Sequence, residues 1–150
     1  MNDAIARTAE TVDRTGKRGI ARFAPVVARI LLGLVFLMTG LNGFLNFLPP
    51  PPPDAMPAGA MDLMMAMVKS GYMMPLVAGT QLAGGVLLLA NRFVPLALTI
   101  LAPVIVHILA FHAFLAPGGS AMGLVVLALE IYLAVVNARA FRPMLAMRAS

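Results

Sequence analysis

Four long apolar stretches dominate the chain, and their spacing predicts four transmembrane helices. The first runs near residues 26–48, behind about 25 polar and basic residues. Pro25 suits a helix start, and the proline run beginning at Pro49 stops it. The second span lies near residues 72–90 and the third near 93–115, with Asn91 and Arg92 as a tight connection. Pro103, inside the third span, should kink it. Pro117, Gly118, Gly119 and Ser120 form the next turn. The fourth span occupies residues 120–137, the shortest of the four. Between the first two spans, residues 57–70 carry Met61, Met64, Met65 and Val68 at helical spacing beside Asp62 and Lys69. That stretch is too short and polar to cross a bilayer, so an interfacial or re-entrant amphipathic helix is expected. The methionines read as adaptable packing rather than as a copper cluster.

Composition agrees with lipid as the main solvent. Of 150 residues, 61% are hydrophobic and 11% charged, against about 25% charged in soluble domains. There is no cysteine, which excludes disulfides and thiolate metal sites within the chain. The net charge of +5 is gathered near the termini. No nucleic-acid motif accompanies it, so it reads as topogenic charge facing anionic lipid. Arg7, Arg14, Lys17, Arg18, Arg22, Arg29, Arg92, Arg139, Arg142 and Arg148 fall on one side and Lys69 alone on the other. The expectation is an all-α four-helix transmembrane bundle with N-in/C-in topology. Its parts are a cytoplasmic basic tail (1–25), a membrane domain (26–145) and a short cytoplasmic tail (146–150).

Polar groups at membrane depth are functional candidates by default. A rise of about 1.5 Å per residue puts Asn42 and His107 about 21–22 Å from the cytoplasmic edge, and Gln81 and Glu130 about 15–17 Å from it. Asn46 and His112 fall near the outer edge. Asn42 and Asn46 share a face, suited to interhelical hydrogen bonds or to lining a pocket. Gln81 sits in GTQLAGG, where Gly79 and Ala83 make a small-xxx-small pair. His107 and His112, five apart, point about 140° from each other and cannot readily chelate one metal; no metal site is assigned. Glu130 must be protonated, paired or hydrated at that depth. His107 and Gln81 are its nearest polar neighbours by depth. The six residues Asn42, Asn46, Gln81, His107, His112 and Glu130 are read as a polar intramembrane pocket opening outward, with Glu130 at its floor. The alternative for each is a hydrogen bond that fixes packing.

The segments ARILLGLVFLMTGLNGFLNFLP, GYMMPLVAGTQLAGGVLLLANRFVPLAL, LAPVIVHILAFHAFLAP, LVVLALEIYLA and AFRPML, in that order, resemble the DoxX family of small bacterial membrane proteins. The resemblance covers roughly residues 28–145. It implies a four-helix bundle in the bacterial inner membrane and an association with quinol-oxidase or oxidative-stress systems. The His112 and Glu130 positions match the family pattern, whereas Gln81 stands where the family often has Glu. The resulting expectation is an accessory subunit of a membrane redox or quinone-linked system, with quinone as candidate cofactor. Partners would be the lipid bilayer, other redox subunits and a second copy of the chain. A non-enzymatic scaffold and a small-molecule or lipid-binding protein are the alternatives. With no nucleophile triad, phosphate loop or cofactor motif, an autonomous enzyme is the weakest reading.

Overall fold

A computed structural model describes residues 2–49, 52 and 56–141, with side chains from residue 23 onward. Pro50, Pro51, Pro53, Arg142 and Arg148 lie outside the described residues, as do the side chains of the N-terminal tail. The fold is all-helical: α1 (Asn2–Leu45), α2 (Ala58–Lys69), α3 (Met73–Leu89), α4 (Val94–Phe114), a 3-10 turn (Pro117–Gly119), α5 (Ser120–Val136) and α6 (Ala138–Phe141).

The tail and first span form one helix of 44 residues, continuous through Pro25. Its membrane-length part is Phe23–Leu45. This helix ends before the prolines do their work. Asn46 adopts a left-handed φ of 48°, a conformation asparagine tolerates better than other non-glycine residues. Its N–H returns to the Asn42 carbonyl at 2.8 Å. The Asn42 Oδ1 then accepts the Leu48 N–H at 2.7 Å.

Helix α2 is the expected short element, bent 91° from α3 at Ser70–Tyr72. Gly71, with φ of 75°, makes the turn. Ser70 Oγ donates to Met67 O and accepts the Met73 N–H, joining the end of one helix to the start of the next. The inward face of α2 differs from the expected one. Ala60 is fully buried and Met64 and Met67 half-buried, while Met65 and Val68 are exposed. Gly59 sits against Leu115, so α2 lies across the end of α4.

The membrane part of α1, α4 by itself, and α5 with the 3-10 turn give three spans of full membrane length among the described residues. The bent pair α2 and α3 supplies the fourth crossing when counted as one broken span. At the α3–α4 connection, the Arg92 N–H bonds Leu87 O and the Asn91 N–H bonds Leu88 O. With Asn91 at φ of 53°, this is a Schellman ending. Helix α4 stays continuous through Pro103.

The bundle closes as a ring: α1 packs on α3 and α5, and α4 packs on the other faces of both. Glycine sets the α1–α3 approach. A Cβ on Gly40 would lie 2.5 Å from Leu82 N, and one on Gly85 would lie 2.6 Å from Leu37 N. Gly33 meets Leu88 and Leu89, and Gly43 meets Ala78, so the two helices are antiparallel. The Gly79–Ala83 pair does not make this contact: Gly79 has only Phe44 nearby at 3.9 Å, and Ala83 is exposed. Gly84 admits Leu101 of α4. Leu32, Phe36, Leu88, Leu98, Leu101, Ile105 and Leu133 are the fully buried centre. Outside it, Leu34, Met38, Leu76, Val106, Val125 and Val135 are exposed, a surface matched to lipid chains.

Candidate polar site in the bundle

The six residues expected to form one pocket lie at different heights and on different faces. Asn42 and Asn46 shape the end of α1 by their own backbone contacts. At the same end, His112 is half-buried and its Nδ1 donates to Ile108 O at 2.8 Å, which fixes the proton on Nδ1. The imidazole edge packs against Gly119 and approaches Gly123. Gln81 lies halfway along α3, half-buried, with no side-chain hydrogen bond among the described residues. His107 is exposed on the outer face of α4.

Glu130 is the buried member, 7% exposed. It lies between Val126 and Leu133 on the inward face of α5, and both are core residues. Its Oε2 has no hydrogen-bond partner among the described residues. Neither His107 nor Gln81, its polar neighbours by depth, hydrogen-bonds to it among the described residues. The place of Glu130 along α5 is set by the helix end. Asn137 interrupts the helix, its Nδ2 folding back to Leu133 O at 2.8 Å, and α6 starts separately. Helix α5 thus ends at Val136, and Glu130 lies six residues, or about 9 Å, from that end. Gly123, beside His112, is seven residues away in the other direction, or about 10 Å. Glu130 belongs to the half of the bundle nearer the chain termini, while Asn42 and His112 belong to the half covered by α2.

Grooves on the outer surface of the described residues accompany this core, and none of the six residues lines the two that follow. One, of about 540 Å3, runs between α1 and α5 along Phe23, Val27, Ala28, Leu31, Leu129 and Tyr132. The other, of about 410 Å3, is formed by Pro75, Leu76, Gly79, Thr80, Ala83 and Ile100. No group of three or more metal-ligating His, Asp or Glu side chains occurs among the described residues.

Sequence reasoning passed over one interaction. Arg29, counted in the sequence only as topogenic charge, turns inward and donates from Nη1 to Leu88 O at 2.6 Å, holding α1 to the C-terminal end of α3. A cation there also opposes the negative end of the helix dipole. The available signal was an arginine placed inside an otherwise apolar span.

The DoxX family matches residues 24–113, more than half of the chain. The chain belongs to the DoxX family. The match includes α1 from the start of its membrane part through nearly all of α4, so it contains Arg29 and both histidines. Glu130 and the rest of α5 lie beyond it. No curated protein and no solved structure matches the chain. The DoxX assignment accounts for a helical integral membrane protein, and the chemistry of this member has to be argued from its own side chains.

Proposed function

We propose that this DoxX protein is an accessory subunit of a membrane redox or quinone-linked system in the bacterial inner membrane, with both termini in the cytoplasm. The observation that carries the reading is Glu130. A carboxyl oxygen buried in an apolar core without a partner forgoes a hydrogen bond and adds nothing to packing that a methyl group would not. Such a group is costly to keep as structure, and intramembrane acids mark proton or ligand sites. The groove between α1 and α5, walled by apolar side chains next to Glu130 in sequence, suits an isoprenoid or acyl chain. The ten basic residues grouped on the side of the termini support the orientation.

A scaffold role is favoured by a different observation. Asn42, His112, Thr39, Thr80 and Thr99 all spend their side chains on nearby backbone carbonyls or amides of their own segment. Purified protein distinguishes the two. The redox reading expects co-purified quinone, or recovery of partner redox subunits. It expects Glu130→Gln to keep folding and partner association while abolishing the redox phenotype. A clean preparation lacking quinone, chromophore and redox partners supports the scaffold. Reporter fusions at each terminus test the topology, and an active periplasmic reporter at either end overturns it.

A further inference from the structure

We propose that Glu130 is a proton-binding site whose ionised form is received by Arg29, so that the proton controls the tie between α1 and α3. The two side chains occupy one layer. Leu129 and Tyr132 share their groove with Ala24, Val27, Ala28 and Leu31. Glu130 therefore lies at the height of the α1 stretch that contains Arg29. Both face inward: Arg29 reaches Leu88 of α3, and Glu130 sits within the core face of α5. As described, the carboxyl has an unpartnered oxygen in apolar surroundings, an arrangement suited to the neutral acid.

The other described cations at this end, Arg92 and Arg139, are exposed, which leaves Arg29 as the inward-facing counter-ion among the described residues. Helix α4 presents no titratable side chain to this layer among the described residues. Its His107 is exposed, and its His112 is bonded to Ile108 at the far end. Tyr72, the cap before α3, is exposed at the far end, and on α5 Tyr132 is exposed in the wall of the groove. Arg29 is also free to change partner at small cost. Leu88 O accepts a second hydrogen bond, from the Asn91 N–H at 3.1 Å, so it is not orphaned when the guanidinium leaves. The guanidinium has five donors, and one is used among the described residues.

In the step that follows, the Glu130 O–H bond breaks and the proton passes to solvent water at the end of the bundle carrying the termini. Arg29 stays protonated and exchanges the Leu88 carbonyl for the new carboxylate. The α1–α3 tie then becomes an α1–α5 ion pair. This inference stands apart from the quinone reading, since it needs no redox partner.

Dicyclohexylcarbodiimide, which adds across protonated carboxyls in apolar sites to leave a stable N-acylurea, is the probe. Full-length protein in liposomes is labelled across a pH series and the adduct located by mass spectrometry. Wild type should label at Glu130 at acidic pH and lose labelling as pH rises. Arg29→Gln should extend labelling toward alkaline pH by about 1–3 units, the usual influence of one adjacent charge. Arg29→Lys should stay near wild type, and Glu130→Gln should lose the adduct. Identical profiles for wild type and Arg29→Gln overturn the coupling, and absence of the adduct at every pH overturns the proton site. Should Arg29→Gln fail to fold, infrared difference spectra of wild type with nitrogen-labelled arginine give the answer. Loss of the Glu130 carboxylic C=O band must bring a guanidinium shift with it; a titration with an unmoved guanidinium band refutes the proposal.

Discussion

Adding one methyl group to α3 should have opposite consequences at Gly85 and at Gly79, six residues apart in the same helix. At Gly85 the new Cβ would lie 2.6 Å from Leu37 N and 2.9 Å from Gly33 O, both backbone atoms of α1. Backbone cannot rotate out of the way, so the helices must separate by about 0.8 Å to reach the 3.4 Å edge of ordinary contact. That separation runs along a helix pair also held by Gly33 and Gly40. Overpacking of this kind costs about 1–3 kcal/mol. The better helix propensity of alanine returns about 0.8–1 kcal/mol. The balance is a destabilisation of up to about 2 kcal/mol, or roughly 30-fold in the folding equilibrium. At Gly79 the Cβ would meet only Phe44 Cζ, at an ordinary 3.9 Å. Gly79→Ala should therefore be neutral or stabilising by up to about 1 kcal/mol. Reversible unfolding of each variant in detergent micelles measures both. Equal losses at the two positions, or tolerance of Gly85→Ala, would show that the α1–α3 approach is looser than described.

Two further outcomes follow from the helix ends. Asn46→Ala places an ordinary Cβ residue at φ of 48° and should lower stability by about 1 kcal/mol, whereas Asn46→Gly should be tolerated; thermal unfolding in micelles compares them. Gly119→Ala would drive its methyl into the His112 imidazole and should cost about 1–3 kcal/mol. His112→Ala should then remove most of that penalty, a coupling that a double-mutant cycle reads directly.

The apolar runs made the helices legible because lipid enforces one rule along the chain: each backbone amide inside the bilayer must bond within its own helix. Proline and glycine then marked the breaks, and α4 and α5 fall close to where residues 93–115 and 120–137 placed them. The candidate site was less legible, for a reason visible in Asn42, His107 and Glu130. Depth follows from counting residues, but the face a side chain presents depends on which neighbour the helix packs against. In α3 the neighbour was chosen by Gly85 and Ala78, whose contacts with α1 leave the Gly79–Ala83 pair facing outward. In α4, Leu101 entering Gly84 fixes the rotation that leaves His107 exposed. The same close packing that turns His107 outward removes it as a partner for Glu130. What remains in that layer is the guanidinium of Arg29, drawn inward by the carbonyl of Leu88. On the coupling proposed between Glu130 and Arg29, the glycines act on function as well as on stability: by setting helix rotation, they leave Arg29 rather than His107 to answer the one buried acid among the described residues.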